Sequence, residues 1–373
     1  MKIGIVCYPT FGGSGVLATE LGKALAEKGH LVHFITYQQP VRLSGFYTNI
    51  FYHEVRIPHY PLFDYPPYET TLASTMVDVV MNNDLDLLHV HYAIPHASAA
   101  FMAKQILLKK GKRIPVITTL HGTDITLVGK DKTFEPVVTF SMNESDALTA
   151  VSKNLKEETY KFFAVDKEIE VIYNFVDLAR FSKKPLDAFR KAIAPNGEKI
   201  ITHASNFRKV KRVQDVISIF AGISKKIGAK LLMVGDGPDR PEAEEYCRML
   251  KVCDDVRFLG KQQEMEEILA ISDLFLLPSE YESFGLSALE AMAAGVPVLS
   301  SNAGGLQEIN LHGKTGYVAE VGDVDTMTKY GIDLLTDKTL LERMKEGARD
   351  QAAKFDIQRI VPLYEQLYAR FIG

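Results

Sequence analysis

Two glutamates eight positions apart, Glu282 and Glu290, flank a Phe284-Gly285 pair that stands between an apolar run and a helical pattern. The run Leu274-Phe275-Leu276-Leu277 reads as a strand buried on both faces of a parallel sheet, and Pro278 and Ser279 end it. Beyond the break, Leu286, Leu289, Ala293 and Ala294 keep helical spacing until Gly295 and Pro297 stop the helix. A helix N-terminus carries unpaired backbone N–H groups and a partial positive charge. The amides of Leu286 and Ser287 therefore suit a phosphate, and Glu282 and Glu290 can take hydroxyl-bearing groups on either side of it. That is the layout of a nucleotide-sugar. Taken alone, the pair also reads as a polar loop residue and a good helix former, so the rest of the chain has to decide.

Other strand ends carry chemistry too. The loop Pro9-Thr10-Phe11-Gly12-Gly13-Ser14-Gly15 can bring backbone amides close to a ligand. A dinucleotide site would want G-x-G-x-x-G and an acidic residue after the second strand; this chain has G-G-x-G and Thr36-Tyr37-Gln38-Gln39. His121-Gly122-Thr123-Asp124 offers a histidine beside a tight turn, fit either to bond a sugar hydroxyl or to steady charge, or to serve structure only. His89 and His91 alternate along a strand and are expected to face opposite sides, which argues against one shared metal. The basic run Arg208-Lys209-Val210-Lys211-Arg212, following Ser205-Asn206-Phe207, suits a diphosphate. Val234-Gly235-Asp236-Gly237-Pro238 is either a base pocket or plain turn chemistry.

Positioning these loops takes two sheets. The apolar runs 2–8, 31–36, 85–91, 115–121, 147–152 and 169–174 alternate with helical patterns at 15–28, 70–82, 96–109 and 154–163, which predicts a doubly wound α/β domain. The pattern restarts with strands at 199–205, 230–235, 256–260, 273–278 and 297–301. The reading is a first domain over 1–174, a second over 175–355, and an amphipathic helix at 356–373 that returns to the first. At the start of the second, residues 175–198, with Lys183-Lys184-Pro185 and Pro195-Asn196-Gly197, read as a linker or irregular connection. In open α/β sheets ligands sit beyond the carboxyl ends of the strands, which is where every loop named above falls.

The 373 residues suit two domains, and 46% hydrophobic with 24% charged residues describes a soluble globular protein. A net charge of -4 argues against a general nucleic-acid or anionic-membrane binder. Cys7, Cys247 and Cys253 make neither a metal-ligand spacing nor a disulfide framework, so a cytoplasmic setting is expected. Neither a leader nor a membrane span is expected. Apolar residues among 134–140 and the aromatic, proline-rich stretch 60–68 are candidates for a homodimer contact or a core cap.

Together, the glycine loop, His121-Gly122-Thr123-Asp124, Arg208/Lys211, Val-Gly-Asp-Gly-Pro and Glu282-x7-Glu290 resemble the family-4 retaining glycosyltransferases of GT-B fold, from end to end of the chain. More narrowly, CYPTFGGSG, HVHYAIPHA, TTLHGTDIT, YNFVD and SNFRKVKRVQDV resemble the branch of that family that serves bacillithiol synthesis. The resemblance implies two Rossmann-like domains facing a central cleft, UDP-N-acetylglucosamine as donor and L-malate as acceptor, with no metal or cofactor. It implies donor contacts from Gly13, Gly15, Asn206, Arg208, Lys211, Gly235, Glu282, Phe284, Gly285, Leu286, Ser287 and Glu290, with His121, Lys211, Arg208 and Glu282 closest to the chemistry. Where many members carry Gly-Arg, this chain has Ser205-Asn206 and its arginine stands at 208. For a small dicarboxylate, Ser14, Arg42, Tyr92, Thr123, Lys153 and Asn174 are placed to contribute at the first domain's strand ends.

Rival readings keep the fold and change the chemistry. One is a family-4 transferase with a sugar, inositol phosphate or lipid acceptor. A membrane-surface enzyme of that kind would show a basic amphipathic face, whereas residues 15–28 set Lys23 and Lys28 against Glu20 and Glu27. Another is a UDP-sugar epimerase, and a third a nucleotide-sugar sensor without turnover.

Overall fold

The computed structural model describes residues 1–57, 65–128, 131–182 and 187–372. The chain divides into two compact units, Met1–Asn174 with Ile357–Gly373, and Phe175–Asp356. In the first unit seven parallel strands, β1 (Lys2–Val6), β2 (Leu31–Thr36), β3 (Ile50–Glu54), β4 (Leu87–His91), β5 (Val116–Leu120), β6 (Ala147–Ala150) and β7 (Ile169–Val171), lie in the order 3-2-1-4-5-6-7. In the second, β8 (Lys199–Ala204), β9 (Ala229–Val234), β10 (Val256–Gly260), β11 (Leu274–Leu277), β12 (Val298–Ser301) and β13 (Gly316–Ala319) lie in the order 10-9-8-11-12-13.

Both sheets are doubly wound, as the alternation of runs and helices predicts. Each reverses its direction of winding once, between β1 and β4 and between β8 and β11. Ligand crevices open at such reversals, outside the carboxyl ends of the strands. The central strands are continuous apolar runs because helices cover both faces; Leu274, Phe275, Leu276 and Leu277 are all fully buried.

Among the elements that escape the sequence reading are two strands and a helix. β3 is an edge strand paired only to β2, and its Ile50-Phe51-Tyr52-His53-Glu54 is largely exposed, so it lacks a buried strand's apolar run. β13 is only four residues long. The helix Glu135–Glu144 begins with Pro136 in its first turn, where proline is tolerated rather than disruptive.

Residues 175–198 are not a linker. The helices Leu178–Phe181 and Asp187–Ile193 form there, the first capped by Asp177, whose carboxylate accepts from the Ala179 and Arg180 amides. Arg180 pairs with Glu266 at 3.0 Å, and Arg190 with Asp273 at 2.7 Å, so both helices are fastened to the second unit. Lys183-Lys184-Pro185 and most of the 60–68 stretch lie outside the described residues.

The helix Ile357–Ala369 belongs to the first unit and buries Ile357, Ile360, Val361, Tyr364, Leu367 and Tyr368. Phe371 lies past the helix end and is exposed. The Tyr368 hydroxyl shares a 2.7 Å hydrogen bond with His89 Nδ1, and Glu365 pairs with Lys28 at 2.7 Å. Phe134, Val137 and Phe140 are exposed on one side of the 135–144 helix. Among the described residues no helix is long and apolar enough to cross a membrane.

Candidate active site

In the second unit, the loops after β8 and β11 are knitted together. The Glu280 amide donates to the Val210 carbonyl at 2.7 Å, and from the loop after β12 the Gly305 amide donates to the Glu282 carbonyl at 2.9 Å. Lys211 Nζ lies 2.6 Å from Glu282 Oε1, which also accepts from Ser279 Oγ at 2.8 Å. The structure thus joins two expected site residues, one from each side of the sheet's reversal. Arg212 is committed elsewhere, to Asp215 at 2.6 Å. Arg208 is exposed and forms no ion pair among the described residues, and Asn206 beside it is exposed as well.

Gly285 sits at φ 93° at the head of the helix Leu286–Ala293, which has no side-chain cap. Its first amides, Leu286 and Ser287, have no carbonyl one turn earlier to bond, as an anion site requires. The Phe284 ring is buried against Phe355, so only its backbone is available to a ligand. Glu290 is 7% exposed, which rules out the reading of an ordinary surface glutamate.

Gly235 and Gly237 answer a packing need. A Cβ on Gly235 would stand 1.8 Å from the Ser205 carbonyl oxygen, and one on Gly237 would stand 2.5 Å from that of Phe207. These glycines let the loop after β9 press on the loop after β8. Behind them His203, fully buried, donates from Nδ1 to the Leu276 carbonyl at 2.9 Å, leaving Nε2 to accept from Ser205 Oγ at 2.8 Å.

In the first unit, Gly15 answers a similar need: a Cβ there would meet the Tyr8 carbonyl oxygen at 2.3 Å. Gly13 begins the helix Gly13–Glu27, which also lacks a side-chain cap. Ser14 and Tyr92 share a 2.7 Å hydroxyl hydrogen bond. Tyr92 holds a φ of 89°, rare for a side-chain-bearing residue, and burial pushes its hydroxyl up to about 12, so it stays a neutral donor. Asp124 fastens the loops after β4 and β5, accepting from the Ala93 amide at 2.9 Å and the Gly122 amide at 3.0 Å. Arg42, Lys153 and Asn174 are placed at the same end of the sheet by strand order, past β2, β6 and β7.

The two strand histidines face the same way. Residues i and i+2 of a strand share a face, and the His89 and His91 rings lie 4.4 Å apart, contrary to the expectation that they point to opposite sides. Both His89 nitrogens are occupied, by Tyr368 and Thr119 at 2.7 Å each. His91 Nδ1 lies 2.8 Å from His121 Nε2. Sequence reasoning set His91 aside on the parity argument, took Ser279 only as a strand end, and did not consider His203; the i, i+2 spacing of the first was the one available signal.

Comparison with known proteins places the whole arrangement. Residues 11–180 match the model of Glycosyltransferase Family 4, and 186–351 that of Glycosyl transferases group 1. The N-acetyl-alpha-D-glucosaminyl L-malate synthase of Bacillus anthracis is 49% identical over 370 residues, covering 99% of this chain and 96% of that protein. The chain belongs to glycosyltransferase family 4. An uncharacterized glycosyltransferase of Methanocaldococcus jannaschii, MJ1607, is 30% identical over 94% of this chain and 93% of its own length. Among solved structures, Anabaena HepE in complex with UDP and glucose superposes with a TM-score of 0.84 at 19% identity, over 99% of each chain. The sucrose-phosphate synthase of Thermosynechococcus elongatus gives 0.81 at 20%, over 99% of this chain and 98% of that one. These likenesses establish the GT-B fold, and the chain is a sugar-nucleotide-dependent glycosyltransferase.

Five histidines of this family-4 chain are held neutral by burial. Burial lowers His89 and His121 to about 3, His96 and His203 to about 4, and His91 well below the ordinary range. The unfolded chain takes up these protons near 6.5 and the folded chain does not. Their stabilising contribution is therefore complete above about pH 6.5 and is lost as pH falls toward the folded values, by about 1.4 kcal/mol per pH unit per histidine. Asp124, raised by burial from 3.8 to about 6, works in the opposite sense across that narrower span. The urea midpoint should drop clearly between pH 7.5 and pH 5.5. Equal midpoints would show the imidazoles to be less buried than they stand here.

Proposed function

We propose that the chain transfers N-acetylglucosamine from UDP-N-acetylglucosamine to the hydroxyl of L-malate, with retention at the anomeric carbon, as the first step of bacillithiol synthesis. The observation that carries this reading is the 49% identity, over essentially the full length of both chains, to a protein named for that product.

The second unit holds the donor. Lys211 and Arg208, with the amides of Leu286 and Ser287, hold the diphosphate, while Glu282 and Glu290 take sugar and ribose hydroxyls. The first unit holds the acceptor through Ser14, Arg42, Tyr92, Thr123, Lys153 and Asn174. As the glycosidic bond to the diphosphate breaks, the leaving oxygen takes the proton of the malate hydroxyl that attacks from the same face. The protein holds and orients charge and supplies no covalent nucleophile. Neutralisation of the leaving group comes from these cations and amides, and turnover is expected to survive a chelator.

The test is UDP release from UDP-N-acetylglucosamine with L-malate, D-malate, inositol phosphate or no acceptor. Release that requires L-malate supports the proposal, and product NMR reads the anomeric configuration. Donor binding without release in any arm would overturn the acceptor assignment. Arg42→Ala should raise the KM for L-malate by about 10-fold or more, the loss of one charged hydrogen bond, and spare that for the donor. A rise confined to the donor KM would place Arg42 elsewhere.

A further inference from the structure

Behind His121 stands an imidazole that the proposed chemistry leaves unused. His91 is 2% exposed, its Nδ1 lies 2.8 Å from His121 Nε2, and its Nε2 has no hydrogen-bond partner among the described residues. His121 is half-buried at the carboxyl end of β5, and among the described residues its side chain makes no hydrogen bond other than the one to His91.

Two neutral imidazoles joined by one hydrogen bond have two arrangements. In the first, His121 Nε2–H donates to His91 Nδ1, and the partnerless His91 Nε2 must carry a proton. In the second, His91 Nδ1–H donates to His121 Nε2, and the partnerless nitrogen carries a lone pair. A buried N–H without an acceptor is the rarer of the two defects, since it exposes a bare donor to surroundings that cannot answer it. The second arrangement is therefore favoured. The neighbouring imidazole shows the same device with a single outcome: His96 Nδ1 can only donate to the His91 carbonyl, which leaves its Nε2 facing the Tyr68 hydroxyl at 3.4 Å.

Resting on the proposed transfer, we propose that His91 is a positioning residue: its Nδ1–H fixes His121 as the tautomer protonated on Nδ1, a neutral hydrogen-bond donor to an oxygen of the bound substrate. Which nitrogen of a histidine carries the proton is set by the bond its other nitrogen makes. A ring held in this form cannot take a proton through Nδ1, so it does not serve as the base for the acceptor hydroxyl. That role stays with the departing phosphate. Burial keeps both rings neutral across the working range of pH, as a tautomeric device requires.

Nitrogen-15 NMR of the full chain labelled in histidine, without ligand, tests the tautomer directly. Signals of His121 are assigned by their loss in His121→Gln. A protonated Nδ1 and an unprotonated Nε2 support the proposal, and the reverse overturns it, whichever donor and acceptor the enzyme uses. Kinetics test the consequence. His91→Leu should lower kcat roughly 10- to 100-fold, as loss of a partner behind a reacting group does, with both KM values little changed. His91→Asn, whose side-chain NH2 stands near the lost Nδ1–H, should restore most of the rate, and His91→Asp, which only accepts, should not. Equal losses in the Leu and Asn variants, or rescue by Asp, would overturn the assignment. Should none of the acceptors support turnover, the substrate reading fails while the NMR result still decides this one.

Discussion

Lys211→Ala should lower kcat by ~100-fold or more, the size typical of losing one preorganised charge stabiliser. In the structure the lysine is held by Glu282 at 2.6 Å, with their side chains 18% and 11% exposed. A pair so placed is oriented before any donor arrives, and the arriving diphosphate takes over the lysine's charge. The substitution therefore acts twice. It removes the cation that meets the leaving group, and it leaves a half-buried carboxylate facing the incoming phosphates. Lys211→Ala combined with Glu282→Gln separates the two effects, since the second change removes the unpaired charge and should recover donor binding but not kcat. Steady-state kinetics at saturating donor make the measurement. Turnover of the single variant within a few-fold of the unchanged enzyme would remove Lys211 from the reaction.

Gly235→Ala should destabilise the second unit by about 3 to 5 kcal/mol and weaken donor binding with it. Gly235 holds φ 115°, and its ideal Cβ would fall 1.8 Å from the Ser205 carbonyl oxygen and 3.0 Å from the carbonyl carbon. Both atoms are backbone, so nothing flexible can yield; the loop that carries Asn206 and Arg208 would have to move. Gly197 separates strain from collision, because it has φ 80° and no atom within 4 Å of a built Cβ. Gly197→Ala should cost only about 1 to 2 kcal/mol, the price of a left-handed residue. Urea unfolding of the two variants side by side decides; equal costs would mean the loops do not touch as described.

The buried frame was legible because its strands announce themselves. A run such as Leu274–Leu277 has no polar face, which only a strand covered on both sides tolerates. β3 was hidden for the opposite reason, since an edge strand with its side chains in water needs no apolar run. The loops at the reversals of winding were legible once the strand order was inferred, and the chemistry in them followed from residue type. The pairing of Lys211 with Glu282 was not, because 71 positions separate them and only the folded sheet brings their loops together. His91 was concealed by a parity reading: with residues 89 and 91 assigned to opposite faces, no line of side chains led from β4 to His121. The role of Gly235 was equally closed to sequence, since a glycine forced by a neighbouring carbonyl looks the same as one forced by a turn.

The return of the helix Ile357–Ala369 to the first sheet also sets an order of events during synthesis. Tyr364 and Tyr368, which cover His89, are made only after the whole of the second unit. Everything the second unit needs is complete at Asp356, whereas the first unit, begun at Met1, waits for a helix encoded after it. At ordinary elongation rates that wait lasts about 10 to 40 s. Throughout it, His89 lacks the two tyrosines that cover it, and the half of the enzyme that is made first is the half that finishes last.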